Sequence, residues 1–397
     1  MTTFAAATRS VLSCCFSCIL LALVGCATAR SPVDAYFEND YEAAVAGFKK
    51  QAAKQDKNFA MYAASLGATY LAAGDVHDAN AAFMDASAVM NDLEEGKLRG
   101  LGSLIANESL KVFKGEPYER AMVDCYTGLT YYMRGDYENA RVGFFRALKA
   151  DKDSKDGFQD DFGLAHYLLG KAFLGLGQVE DAKLAFSKAA RYAPANPYAA
   201  LDKNRDANFT LILDLGRAPA KVEAGPMGSV DDFERAEYPE RHATVLIDGQ
   251  RVGRTAKIVD LYDQARTSGR SLKDVIQTAK GLSKFGAFIA AALLKDKESS
   301  YAALLFAILY PSWADTRKCE LMPGEVHIFT DKLSPGLRTV TLRFNGAGPA
   351  GLDRYDQIWH YVPVQDGKET VLYCRSGPDK SVQFVQAAPT AQTTVKQ

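Results

Sequence analysis

The side chains that could carry out chemistry are scattered along this sequence and form no recognised catalytic motif. Two adjacent carboxylate pairs, Asp160-Asp161 and Asp231-Asp232, are of the residue type that glycoside hydrolysis requires. Both pairs fall in segments predicted as loops, where solvated acidic pairs are common. The five histidines are isolated, and the chain has no H-E-x-x-H, G-x-S-x-G, G-x-G-x-x-G or G-x-x-x-x-G-K-[ST] pattern. We therefore predict no enzyme active site, no cofactor and no metal centre.

Cys26 is the cysteine whose surroundings indicate a modification. It follows the apolar run Val11–Val24. The four residues Leu23-Val24-Gly25-Cys26 resemble the lipobox of bacterial lipoproteins. This resemblance implies cleavage before Cys26 and attachment of diacylglycerol to its thiol, with the protein outside the cytoplasm. The alternative is an ordinary secretory signal. Because Ala27 stands where aspartate retains lipoproteins in the inner membrane, we predict an outer-membrane anchor and a protein that faces the periplasm.

Three cysteines remain once the predicted signal peptide and Cys26 are set aside. Cys125 lies among apolar residues of a predicted helix and is interpreted as a small buried side chain. Cys319 and Cys374 both lie near predicted strands, so a disulfide between them is one hypothesis. The alternative is that both thiols stay reduced.

The composition limits the function classes. The chain has 397 residues, 48% of them hydrophobic, and a formal net charge of −1, which does not favour a nucleic-acid binder. This length predicts two domains. The predicted segments are a signal peptide at 1–25, a lipidated lead at 26–32, a helical repeat domain at 33–204, a mixed α/β domain at 205–385 and a disordered tail at 386–397.

The N-terminal half contains a repeated pattern of small and aromatic residues. Glycines at 67, 128 and 170 are each followed 16 residues later by phenylalanine, at Phe83, Phe144 and Phe186. The pattern resembles the tetratricopeptide repeat, in which two antiparallel helices cross at small residues. We expect the phenylalanines to fill the space between successive repeats and Gly135 and Gly177 to permit turns. A half-match at residues 39–48 predicts a degenerate first repeat.

The resemblance implies a binding face along the first helix of each repeat. The candidate groove residues are Met122, Leu129, Tyr132, Tyr167 and Lys171. This face is strongly apolar, so we expect either an apolar partner segment or other parts of the same chain to fill it. Residues 93–113 are predicted to form an extra helix and residues 151–161 a loop.

The C-terminal half alternates β-branched runs with glycine and proline. The predicted strands are 209–215, 243–247, 325–329, 338–344, 357–362, 370–375 and 381–385, and the predicted helices are 256–266, 271–294 and 300–310. The overall prediction is an N-terminal TPR-like α-solenoid followed by a mixed α/β domain with an antiparallel sheet. The apolar runs Phe285–Leu294 and Tyr301–Tyr310 are too short to span a bilayer. They indicate a buried helical hairpin, with a membrane-surface or oligomer contact as the alternative.

A further resemblance concerns the stretch from Asp315 to Leu342. Three segments are similar to the C-terminal signature of a group of uncharacterised repeat-bearing bacterial lipoproteins. They are Asp315-Thr316-Arg317-Lys318-Cys319-Glu320-Leu321-Met322-Pro323, Leu333-Ser334-Pro335-Gly336 and Thr339-Val340-Thr341-Leu342. The function expected from all these features is a non-enzymatic, lipid-anchored envelope scaffold that binds envelope proteins. The alternatives are a cell-wall hydrolase whose site is assembled within 205–385 and a membrane-surface or homo-oligomeric lipoprotein.

Overall fold

The computed structural model describes residues 30–95, 112–154, 157–224, 230–267, 315–346 and 355–377. The predicted signal peptide, Cys26, the hairpin Phe285–Tyr310, the strand 381–385 and the tail 386–397 lie outside the described residues. So do the predicted helix 271–294 and most of the predicted helix 93–113.

The N-terminal part consists of helices packed as antiparallel pairs. They are α1 (Pro32–Phe37), α2 (Tyr41–Ala52), α3 (Phe59–Ala73), α4 (Val76–Glu95), α5 (Pro117–Met133), α6 (Tyr137–Asp151), α7 (Gly163–Gly175), α8 (Val179–Tyr192) and the short α9 (Leu201–Asn204). Side-chain oxygens of Asp40 and Asp136 accept hydrogen bonds from main-chain N–H groups in the first turns of α2 and α6. Gly74, Gly135 and Gly177 follow the first helix of each pair with φ of 85°, 78° and 74°, so glycine permits the turn as predicted.

The repeated glycine and phenylalanine meet within each helix pair. A Cβ at Gly67, Gly128 or Gly170 would lie 2.6, 2.5 or 2.9 Å from the ring of Phe83, Phe144 or Phe186. Each ring therefore covers the glycine of its own repeat, a contact that the expectation of rings between successive repeats did not include. Phe83 additionally stacks on Tyr126 of the next repeat, with ring centroids 5.1 Å apart.

The described residues of the C-terminal part form two four-stranded sheets and a hairpin. The strands are β1 (Phe209–Leu215), β2 (Ala220–Ala224), β3 (Val230–Glu234), β4 (Glu240–Ile247), β5 (Gln250–Arg254), β6 (Ala256–Asp260), β7 (Glu325–Asp331), β8 (Gly336–Gly346), β9 (Asp356–Val364) and β10 (Thr370–Arg375), with helix α10 (Leu261–Thr267) after β6. The first sheet has the order β10-β1-β7-β6, the second β5-β4-β8-β9, and β2 pairs with β3. The pair β1–β10 is parallel and the other pairs are antiparallel. The predicted helix over 256–266 is wrong in its first half, where the β-branched pair Ile258-Val259 lies on β6.

The described chain is layered as helices, first sheet and second sheet. Every residue of β1 is buried, since alternate side chains face the helices and the second sheet. Leu211 and Leu213 belong to the core between the sheets, whereas Ile212 belongs to the core shared with the helices. The first sheet thus packs directly on the helical array.

Candidate functional site

The predicted partner groove is a buried interface. Met122, Leu129, Tyr132, Tyr167 and Lys171 are 0%, 1%, 4%, 0% and 1% exposed. The first sheet and the chain leading into it occupy the concave face of the array. These five residues therefore do not form the open groove that was predicted; among the described residues, other parts of the same chain cover them. The physical reason is that β1, β7 and β10 supply the apolar surface that this face needs.

A largely buried carboxylate joins the last two repeats to the first sheet. Glu369, just before β10, pairs with the ammonium of Lys171 at 2.5 Å. The hydroxyls of Tyr132 and Thr210 also donate to this carboxylate. Thr210 in turn lies 3.0 Å from the hydroxyl of Thr330 on β7. The buried lysine charge is therefore neutralised by a carboxylate that has three donors.

A second buried polar cluster joins α1 and α5 to the same sheet. The carboxylate of Asp214 on β1 accepts hydrogen bonds from Tyr126 of α5 and, at 2.7 Å, from Tyr373 of β10. Burial raises the pKa of Asp214, an effect that the charge of Arg375 and the two hydroxyl donors oppose. Arg375 is opposite Asp214 in the β1–β10 register, and its guanidinium lies 6.0 Å from the ring of Tyr36. The cluster therefore links α1, α5 and both strands.

The acidic pairs considered for hydrolysis have structural partners. Asp160 pairs with Lys188 at 2.6 Å, and Asp161 accepts a hydrogen bond from Gln264 at 3.0 Å. The main-chain N–H of Asp161 donates to buried Asp151 at 2.9 Å, and burial raises the pKa of Asp151 to about 7. These contacts hold the loop after α6 in place. Asp231-Asp232 lies on β3, which corrects the prediction of a loop there.

His166 and His327 each have a hydrogen-bond partner in the described chain. His166 faces the main-chain oxygen of Asp160 at 2.9 Å, and His327 pairs with Glu325 at 2.9 Å. Burial lowers the pKa of His166 and of His242. Within the described ranges, no three histidine, cysteine or acidic side chains are grouped as metal ligands would be.

The predicted disulfide is contradicted. Cys319 and Cys374 are free thiols in two different apolar clusters, one next to the helices and one between the sheets. Cys374 donates to the side-chain oxygen of Gln357 at 2.6 Å, and the main-chain N–H of Cys319 donates to Glu119 at 2.6 Å. Burial raises the pKa of Cys319, Cys374 and Cys125, and it raises the pKa of Glu119 to about 7. Deep placement in separate cores keeps these thiols from pairing.

An apolar groove that the sequence pattern did not identify runs along the outer surface between α6 and α8. It has a volume of about 340 Å³. Phe145 and Leu184 flank it and are 49% and 62% exposed. Its apolar lining is Phe145, Leu148, Leu169, Phe173, Leu184 and Ala185, and its charged rim is Lys149, Lys152, Lys188, Asp160 and Asp181. The signal that could have found it is Leu184, which lies off the Ala182–Phe186 packing positions of its helix. We call this feature the outer groove.

A second, smaller groove follows the outer edge of β10. It has a volume of about 70 Å³ and lies where α3 and α4 approach both sheets. Its walls are Leu71 and Met133 on the helical side and Trp359 and Val362 on β9, with residues 371–375 along its length. We call this feature the edge groove. None of the described helices combines the length and the hydropathy needed to cross a bilayer.

Comparisons with known proteins give low-identity likenesses in part of the chain. No family model matches the sequence, and no curated protein matches it. The crystal structure of MamA is 18% identical over 44% of this chain and 80% of its own, with a TM-score of 0.33. The Rap conjugation gene regulator of plasmid pLS20 in complex with the Phr* peptide is 15% identical over 42% of this chain and 41% of its own, with a TM-score of 0.29. The TPR2AB domain of yeast Sti1 in complex with pHSP90 is 16% identical over 42% of this chain and 64% of its own, with a TM-score of 0.17. The repeat geometry rests on the three glycine–phenylalanine contacts of the helix pairs.

Proposed function

We propose that this chain is a lipid-anchored, non-enzymatic envelope scaffold that binds a protein partner through the outer groove. The observation that carries the proposal is the exposure of Phe145 and Leu184 across an apolar groove, while the concave face is filled by the same chain. Large apolar side chains that share one groove are typical of a protein interaction surface.

The chemistry of the outer groove favours an amphipathic partner segment. Its floor is apolar, and three of its five charged rim residues are lysines. A partner helix with apolar residues on one face and acidic residues beside them complements both features. Lys188 already pairs with Asp160, so an acidic side chain of the partner would compete with Asp160 for this ammonium.

The lipid anchor is proposed from the lipobox resemblance at Cys26. The described chain begins at Arg30, whose guanidinium pairs with Glu38 and, at 2.8 Å, with Asp40 at the start of α2. The short lead between Cys26 and Arg30 spans on the order of 14 Å when extended. The repeat array would then lie close to the membrane, so we expect the partner in the same membrane or next to it.

A site-specific comparison tests the scaffold function. A photoactivatable residue is placed at Leu184 or, as a matched control, at Val142, which is 43% exposed and lies outside the groove lining. We expect Leu184 to crosslink one defined envelope protein in intact cells and Val142 to crosslink none. The substitutions Phe145→Asp and Leu184→Asp, made together, should abolish the crosslink that a photoactivatable residue at Asp181, an exposed position of the same groove, forms with that partner. Equal crosslinking at Leu184 and Val142 would reject the groove as the binding site.

The anchor is tested separately. Mass spectrometry of the mature N-terminus should show a diacylglyceryl-modified Cys26, and the protein should fractionate with the outer membrane. Cys26→Ala should leave the protein unprocessed by lipoprotein maturation. An unmodified, soluble mature chain would reject the anchor and leave the outer-groove proposal intact.

A further inference from the structure

Two arginines of β5 have no acidic partner among the described residues. On the same sheet, Arg343 of β8 pairs with Asp356 at 2.8 Å. The side chains of Arg251 and Arg254, by contrast, form no ion pair within the part of the chain that the structure describes. Both residues are exposed, so their guanidinium groups are accessible to an anionic ligand.

A β-bulge puts both arginines on the same face of the second sheet. In a regular strand, residues three positions apart point to opposite faces. The pairing of β4 with β5 skips one residue, so that Arg251 lies opposite Leu246 and Arg254 lies opposite Thr244. Val245, between these two β4 residues, belongs to the core between the sheets. Both arginines therefore lie on the outer face, which is turned away from the first sheet.

A histidine of β4 lies next to the two arginines. His242 is two residues before Thr244, so it lies on the same outer face. Burial, together with the charges of Arg254, His327 and Arg251, lowers the pKa of His242. Both β5 guanidinium groups thus act on this imidazole, and the three side chains form one group of potential donors on the outer face.

Contacts at both ends of β5 hold the arginines in place. A Cβ at Gly253 would lie 2.6 Å from the ring of Phe329 and 3.1 Å from the hydroxyl of Tyr198, so glycine lets β5 pack closely on the first sheet. The same hydroxyl donates to the main-chain oxygen of Arg254 at 2.9 Å. At the β4–β5 turn, Asp248 accepts a main-chain hydrogen bond from β8 at 2.8 Å and pairs with an arginine of β8 at 2.9 Å. This nearby carboxylate is therefore already engaged by β8.

We propose that Arg251, Arg254 and His242 form a binding site for a phosphate monoester on the outer face of the second sheet. A phosphate monoester carries a charge of about −1.5 to −2 near pH 7, which matches two guanidinium groups better than a single carboxylate does. Guanidinium groups donate paired N–H groups to phosphate oxygens, and the imidazole supplies a further N–H donor. A soluble phosphate compound and a phosphate headgroup at a membrane surface offer this same chemistry.

The inference goes beyond the scaffold function and does not depend on it. The outer groove lies between α6 and α8, whereas the phosphate site lies on the β4–β5 hairpin of the second sheet. The site requires neither the lipid anchor nor a protein partner.

Proton NMR of His242 tests the site in the mature chain carrying Cys26→Ala, which lacks the proposed lipid. Inorganic phosphate at constant ionic strength should raise the pKa of His242 by about 0.5 or more, because a bound anion favours the imidazolium, and acetate should raise it less. Arg251→Gln and Arg254→Gln, made together, should weaken phosphate binding on the order of fivefold or more. Arg191→Gln, which removes an exposed charge from α8, should leave binding unchanged. Arg254→Lys, which keeps the charge but loses the paired donors, should give an intermediate effect.

Vesicles distinguish the two sources of phosphate. Binding to phosphatidylcholine vesicles that contain phosphatidic acid, reversed by inorganic phosphate and lost in the double variant, would identify a lipid headgroup. A response to inorganic phosphate without such vesicle binding would identify a soluble phosphate compound. Three outcomes would overturn the proposal: a response of His242 to phosphate no larger than that to acetate, unchanged phosphate binding in a folded double variant, and tighter binding of an acidic peptide than of phosphate, which would indicate a protein partner.

Discussion

Replacing Gly143 by alanine in the second repeat should have two opposing effects on stability: a higher helix propensity and a steric overlap with the neighbouring helix. The position equivalent to Gly143 is Ala82 in the first full repeat and Ala185 in the third. Sequence comparison among the repeats, together with the higher helix propensity of alanine, therefore predicts that Gly143→Ala stabilises the protein. The structure predicts the opposite. A Cβ at Gly143 would lie 2.7 Å from the main-chain N and Cα of Gly128.

The size of the change in the free energy of unfolding depends on which atoms would have to move. Propensity contributes about 1 kcal/mol in favour of alanine. An ordinary contact begins near 3.4 Å, so α5 and α6 would have to separate by several tenths of an ångström, because main-chain atoms of Gly128 cannot rotate away. Overpacking of this kind typically costs about 1–3 kcal/mol, and contact with backbone places the cost at the upper end. We expect a net loss of about 1–2 kcal/mol in the free energy of unfolding.

Urea unfolding monitored by circular dichroism measures this difference. Gly143→Ala should lower the midpoint without changing the dependence on urea. The matched control is Gly170→Ala, where the nearest atoms, at 2.9 Å, belong to the ring of Phe186, which can shift. We expect this control to stay within about 1 kcal/mol of the parent protein. A midpoint for Gly143→Ala at or above that of the parent would refute the reasoning.

The remaining predictions concern buried charges and thiols. Glu369→Gln should cost about 3–5 kcal/mol in urea unfolding, because it leaves the ammonium of buried Lys171 without its carboxylate, whereas Lys171→Met should cost less, since Glu369 keeps two hydroxyl donors. The raised pKa values of Asp151 and Glu119, both about 7, mean that the folded protein keeps protons that the unfolded chain releases from about pH 4 upward. The free energy of unfolding should therefore fall as the pH rises from about 4.5 to 7, and the fall should be shallower in Asp151→Asn; no such slope would contradict the assignment. Cys125, Cys319 and Cys374 should not react with a thiol reagent at pH 8 until the protein is unfolded, and reaction of any of them in the folded state would contradict their burial.

The repeat motif could be predicted because its physics is local. Gly128 and Phe144 are separated by one turn and part of two helices, and their contact follows from their spacing. The strand Phe209–Leu215 was also predictable, since a continuous apolar run of this length is typical of a strand buried on both faces. Its position in the middle of the first sheet, by contrast, depends on β7 and β10, which lie more than 100 residues further along the chain.

Whether the concave face is an open groove or an internal interface could not be predicted from the repeats themselves. Apolar residues such as Met122 and Leu129 satisfy a partner groove and an internal interface equally well. The polar residues on this face distinguish the two cases, because they have partners on the first sheet or next to it. Lys171 pairs with Glu369, and Tyr126 donates a hydrogen bond to Asp214. A lone lysine on an apolar helix face requires a carboxylate, yet the sequence offers many carboxylates and does not say which one reaches it.

Filling the concave face changes what the repeats can do. In an open array each repeat contacts only its neighbours, so stability is close to a sum of local contributions. Here the first sheet contacts the second repeat through Tyr126 and the third through Lys171, and β10 reaches Leu71 of the first at the edge groove. These long-range contacts connect the repeats through one rigid layer and favour unfolding of the described chain as one unit. Among the described residues, Phe145 and Leu184 stay exposed at the outer groove, which is the surface where the proposed partner would bind.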